Sequence, residues 1–175
     1  MHIFLTGAVG VGKSTVIDRC VALLGVIPGG FRTYFGEDRY SVCHSLYMCE
    51  AGQKRRYDEG SAVAFFQSGQ PPKLDRPRFE SFGLHCLQNT AVPLLLMDEC
   101  GRLEQEATLF QRRVLELLDG DTPILGVVRQ DAAGWLDSIR QHPQVTVLTV
   151  TPQNRDALPR EIAVRLRPYI KKGSM

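Results

Sequence analysis

Short uninterrupted apolar runs recur at residues 3–6, 94–97, 124–128 and 145–150, and between them apolar positions return with helical period. Runs of this kind suit strands covered on both faces. Their alternation with helical segments predicts an α/β fold with a mainly parallel sheet flanked by helices. Val16, Ile17, Cys20, Val21, Leu23 and Leu24 fall on one helical stripe, with Gly25 placed to stop the helix. Leu103, Ala107, Phe110, Val114, Leu117 and Leu118 form a second stripe ahead of the turn Asp119-Gly120-Asp121. Ala132, Trp135, Leu136 and Ile139 mark a shorter helix with Trp135 in the core, and Pro159 is suited to the first turn of the last one. Pro168 ends or kinks that helix, which leaves residues 171–175 as a loose tail. Residues 31–48 read as a strand or hairpin, and "SGQPPKLDRPR", 68–78, reads as the one long irregular segment.

Composition narrows this picture only slightly. With 175 residues, 43% of them hydrophobic, the chain is expected to form a single domain over 1–175. Lysine and arginine number 21 against 19 aspartates and glutamates, a margin too small to argue for a nucleic-acid or membrane partner. The longest apolar run, 92–97, falls far short of the roughly 20 residues that cross a bilayer. Five cysteines without a CxxC pair, behind no signal-peptide pattern, read as reduced thiols in a cytoplasmic protein. His2, His44, His85 and His142 show no ligand spacing.

The chemistry is concentrated in "FLTGAVGVGKST". Gly7, Ala8, Val9, Gly10, Val11, Gly12, Lys13 and Ser14 fit G-x-x-x-x-G-K-[ST] between a strand and a helix, the context that motif needs, and Thr15 follows. Glycines let successive backbone N–H groups point inward as an anion nest, and the positive helix end adds to it. Lys13 is expected to reach the β- and γ-phosphates of a nucleoside triphosphate, and Ser14 to ligate Mg²⁺. A second acidic motif, "LLLMDECGRLE", ends an apolar strand in Asp98-Glu99. Asp98 is placed to hold Mg²⁺ through its waters, and Glu99 to orient and deprotonate an attacking water. Arg129 closes a strand at the ligand edge, either sensing the γ-phosphate or forming an ordinary ion pair. Asn154 and Arg155 follow the last strand, either contacting a base or forming a helix cap with a neighbouring charge. Arg32 reads as an exposed strand arginine, and the clusters Lys54-Arg55-Arg56 and Lys73, Arg76, Arg78 as solvated surface.

Taken together, "FLTGAVGVGKST", "GGFRT", "LLLMDECGRLE", "ILGVVR" and "VTVLTVTPQNRDALP" resemble, in order and spacing, the small P-loop nucleoside-triphosphatases of the RecA-like group, also called cancer-related nucleoside-triphosphatases. The resemblance spans most of the chain. It implies Mg²⁺-dependent hydrolysis of ATP, GTP and other nucleoside triphosphates to diphosphates, with loose base preference and slow turnover. It assigns Lys13 and Ser14 to phosphate and metal, Asp98 to metal and Glu99 to water activation. The segment after "GGFRT" departs from the family pattern, being shorter and lacking its glycine-phenylalanine step, and Cys100 and Arg129 replace the residues common there. A small nucleoside or nucleotide kinase and a regulatory nucleotide-binding module are the alternatives. The kinase needs an arginine-bearing lid, for which only "KLDRPR" is available.

Overall fold

The computed structural model describes residues 1–130 and 133–170. In chain order the elements are β1 (His2–Thr6), α1 (Lys13–Leu24), β2 (Gly29–Phe35), β3 (Cys43–Glu50), β4 (Ala62–Gln67), β5 (Lys73–Leu74) and α2 (Arg76–Cys86). They continue with β6 (Leu95–Cys100), α3 (Thr108–Leu118), β7 (Ile124–Val128), α4 (Trp135–Arg140), β8 (Val145–Thr149) and α5 (Leu158–Leu166). The strands form one sheet in the order β5-β4-β3-β2-β6-β7-β1-β8. β2, β6, β7, β1 and β8 run parallel, whereas β3, β4 and β5 extend the β2 side as an antiparallel meander.

The apolar runs have the strand character expected of them because each parallel strand is covered twice. In β1, Ile3 and Leu5 pack with Val16, Ile17, Ile162 and Leu166 of α1 and α5 on one face, while Phe4 joins Phe79, Phe110, Val114 and Ile139 of α2, α3 and α4 on the other. Burial on both faces removes any polar alternation, which is why these segments read as continuous hydrophobic stretches. Gly25 ends α1 in the left-handed region, its N–H donating to Val21 O. Pro159 sits in the first turn of α5, and a 3₁₀ turn containing Pro168 follows the helix.

Several elements differ from the sequence expectation. The stripe from Leu103 to Leu118 is divided into a 3₁₀ turn at Leu103–Glu106 and α3, separated at Ala107, because Glu104 folds back to accept the N–H of Gly101. Residues 31–48 fall within a hairpin of β2 and β3, one of the two forms expected of them. The segment 68–78 is less irregular than expected, since it contains β5 and the start of α2, capped by Asp75 accepting the N–H of Arg78 at 3.2 Å. α2 is not legible in the sequence because its buried face mixes Phe79 and Cys86 with Glu80 and Gly83, which blurs the apolar period. Trp135 is half-buried, packed edge-on against Phe110 at 6.4 Å between centroids. Ala132 and the tail 171–175 lie outside the described residues. Among the described residues no helix is long and apolar enough to cross a membrane.

The approach of β2 to β6 depends on Gly30. Its φ is +90°, and a β-carbon there would stand 2.1 Å from Leu96 O. Gly30→Ala is therefore expected to cost about 3 kcal/mol or more in urea unfolding, from backbone strain plus a clash with main chain. Gly69→Ala, at φ +77° with nothing within 4 Å of the added carbon, isolates the strain alone and should cost about 1 kcal/mol. Equal losses in the two variants would contradict the close strand approach.

Candidate active site

The loop between β1 and α1 lies at the carboxyl end of the sheet. Gly7, Gly10 and Gly12 adopt φ of +135°, +78° and +107°, values that side chains disfavour, and a β-carbon on Gly7 would lie 2.6 Å from Val150 O. Ala8 and Val9 are exposed at the loop tip, Val11 is half-buried beneath it, and Thr15 is exposed in the first turn of α1. Lys13 folds back so that Nζ donates to Gly7 O and Ala8 O, each at 2.9 Å. Burial lowers its pKa from the ordinary lysine value, against the pull of Glu99 and Asp98. Arg129 adds a further lowering influence, so the loop lysine, both acidic residues and Arg129 share one electrostatic neighbourhood.

Asp98 is the buried member of the acidic pair. Ser14 Oγ donates to its Oδ1 at 3.3 Å, and Arg32 Nη1 lies 3.6 Å from its Oδ2. Burial pushes the Asp98 carboxyl up to about 6, opposed by the Arg32 guanidinium and the Ser14 hydrogen bond. Arg32 is 9% exposed, contrary to the expectation of an exposed strand arginine, because it also pairs with Asp18 of α1 at 2.7 Å. Sequence alone does not reveal this pairing, because the carboxylate partners come from two other elements. Thr33, beside it, accepts the Glu99 N–H at 3.2 Å and anchors the strand end. The Ser14 hydroxyl and Asp98 carboxylate are a hard-oxygen donor pair suited to a partly hydrated Mg²⁺.

Glu99 is half-buried, and Glu104 is fully buried behind it. Both carboxylates surround Gly101, where a β-carbon would stand 3.3 Å from Glu104 Oε2 and 3.8 Å from Glu99 Oε1. Glu104 Oε2 accepts the Gly101 N–H at 2.8 Å. Burial raises the Glu104 carboxyl to about 7, with the Glu99 charge adding to the rise and Arg129 opposing it. Arg129 follows β7, half-buried, its N–H donating to Cys100 O at 3.1 Å and its carbonyl accepting from Arg140.

On the far side of the loop, Asn154 is engaged within its own turn. Its Oδ1 accepts Thr151 N–H and its Nδ2 donates to Thr149 O, both at 2.8 Å. Arg155 is exposed, with Cδ 3.8 Å from the position of a β-carbon on Gly12. The basic clusters have local partners: Arg56 pairs with Asp58, Arg55 stacks over Tyr34, Arg76 pairs with Glu80 and Arg78 with Asp75.

A glycine loop between strand and helix, with a buried aspartate facing the helix serine across the sheet end, defines a P-loop nucleoside-triphosphatase fold. Residues 2–163 match the model of the family described as NTPase, and the chain belongs to that family. It is 28% identical over 184 residues to the nucleoside-triphosphatase THEP1 of Thermofilum pendens, covering 98% of each chain. It is 29% identical over 176 residues to that of Methanosarcina acetivorans, covering 94% of this chain and 96% of the other. The crystal structure of THEP1 from Aquifex aeolicus shares the fold with a TM-score of 0.76 at 23% identity, over 95% of this chain and 99% of that one. The solution structure of a human cancer-related nucleoside triphosphatase superposes with a TM-score of 0.69 at 26% identity, over 95% and 97%.

Glu104 makes the stability of the fold depend on pH. Its folded pKa, about 7, stands above the ordinary 4.5, so the protonated side chain stabilises the fold fully below pH 4.5 and that contribution is lost as pH rises through 7. Glu104→Gln keeps an acceptor for Gly101 without the charge. It should match the parent near pH 4.5 and be more stable by about 2 to 3 kcal/mol at pH 8. Urea midpoints across that range measure the difference, and a constant offset would contradict it.

Proposed function

We propose that the chain, as a single domain over 1–175, hydrolyses nucleoside triphosphates to diphosphate and phosphate with Mg²⁺ and with loose base preference. The observation that carries the reading is the convergence of Lys13, Ser14, Asp98 and Glu99 at one sheet end, with Ser14 and Asp98 3.3 Å apart. The names of the related proteins, nucleoside-triphosphatases, agree with it. The backbone nest of 7–14 cradles the phosphates, and Lys13 turns its ammonium from the Gly7 and Ala8 carbonyls to their oxygens. Ser14 and Asp98 would hold Mg²⁺, which when bound neutralises charge on the phosphate oxygens. Glu99 orients a water in line with the γ-phosphorus and takes one of its protons as the new oxygen–phosphorus bond forms. The bond from that phosphorus to the bridging oxygen breaks, and the diphosphate leaves with the electron pair. Arg129 lies within electrostatic range of Lys13 and supplies positive charge near the terminal phosphate.

The kinase alternative loses its lid. Lys73, Arg76 and Arg78 lie at the β5 edge, separated from β1 by five strands, and Arg78 donates to the carbonyls of Glu59 and Ala62. With no arginine-bearing flap over the phosphates among the described residues, water is the acceptor favoured in this reading.

Glu99→Gln separates catalysis from binding. Phosphate release should fall by about 10²-fold or more, while calorimetric affinity for Mg²⁺-triphosphate stays within about threefold. Lys13→Ala should remove most triphosphate binding and leave the unfolding midpoint nearly unchanged. Near-parent hydrolysis by Glu99→Gln would overturn the assignment of the base.

A further inference from the structure

The site has a direction. Asp98 lies on β6, two positions from β1 on one side, whereas the turn 150–157 follows β8 on the other. A triphosphate with its terminal group toward Ser14 and Asp98 therefore runs its nucleoside end away from β6, toward that turn. The groups there are few, and Gln153 is exposed among them. The Asn154 amide is engaged by Thr149 and Thr151 through both its oxygen and its nitrogen, and the Asn154 N–H donates to Thr151 Oγ1 at 3.3 Å. No aromatic residue occurs between positions 149 and 157. Arg155 is fixed by its N–H donating to Thr151 O at 3.1 Å, and its stem rests beside Gly12, the last glycine of the phosphate loop. The neighbouring carboxylate, Asp156, is paired with Arg19 at 2.8 Å, and no hydrogen bond or ion pair engages the Arg155 side chain among the described residues.

We infer that the planar guanidinium of Arg155 is the platform on which the nucleobase stacks, and that Asn154 shapes the turn without reading the base. A guanidinium plane packs on the face of any base, and a face carries none of the hydrogen-bond pattern that distinguishes one base from another. This deepens the triphosphatase reading and rests on it. The loose base preference then has a cause: recognition is divided between a phosphate nest and a ring face.

Calorimetric Kd values for the β,γ-imido analogues of ATP, GTP, CTP and UTP, and for inorganic tripolyphosphate, test the inference on the parent, Arg155→Ala, Arg155→Lys and Gln153→Ala. Arg155→Ala should weaken all four nucleotides by about five- to thirtyfold, alike within about threefold, and leave tripolyphosphate unchanged. Arg155→Lys, which keeps the charge and loses the plane, should resemble Arg155→Ala, and Gln153→Ala should leave the order of the four bases intact. Equal weakening of tripolyphosphate would make Arg155 a phosphate contact and overturn the inference. So would parent-like binding by Arg155→Ala or Arg155→Lys, or base-dependent loss in Gln153→Ala. A parent chain that binds none of the five ligands would instead overturn the triphosphatase reading, a result independent of any Arg155 variant.

Discussion

A buried carboxylate at the end of a central strand is costly unless its charge is met, and Asp98 meets it from two sides. One oxygen faces the Ser14 hydroxyl and the other the Arg32 guanidinium, which is itself held by Asp18. Ser14 and Asp18 stand one helical turn apart on α1. The four side chains therefore close a ring joining α1, β6 and β2. Removing one partner from such a buried arrangement leaves an uncompensated charge, so the ring sets where the loop lysine and the strand-end acids stand relative to one another.

The two-faced core makes this ring possible. Because α1 and α5 cover one face of the parallel strands and α2, α3 and α4 the other, the carboxyl ends of β1, β6 and β7 are left as the polar rim. The antiparallel meander has a different task. It extends the sheet beyond β2, so that Arg32 and Thr33 lie on an internal strand hydrogen-bonded on both sides.

Environment then gives like residues unlike roles. Glu99 and Glu104 both surround Gly101, yet one is half-buried at the rim and the other fully enclosed, which drives its carboxyl upward. Arg32 and Arg155 are both arginines near the phosphate loop. One is locked between two carboxylates, and the other lies open beside Gly12.

The amino-acid sequence alone determined the parts whose physics is local. The phosphate loop is legible because glycine spacing, the preceding strand and the following helix all lie within some twenty residues. The central strands are legible because double burial leaves an apolar run. The Gly25 stop and Pro159 start are legible because each residue's own backbone dictates them. Tertiary structure alone decided what depends on partners distant in the chain. Arg32 looks like a solvated strand charge until β6 and α1 bring Asp98 and Asp18 against it. Glu104 gives no signal beside the stripe that Leu103 opens until its carboxylate turns back to Gly101. Asn154 and Arg155 read equally as base contacts or as a cap with a neighbouring charge until the turn takes up the Asn154 amide and leaves the Arg155 side chain open. Sequence periodicity reports which face of an element is buried, whereas an ion pair or hydrogen bond between elements is set only when the sheet order brings those faces together.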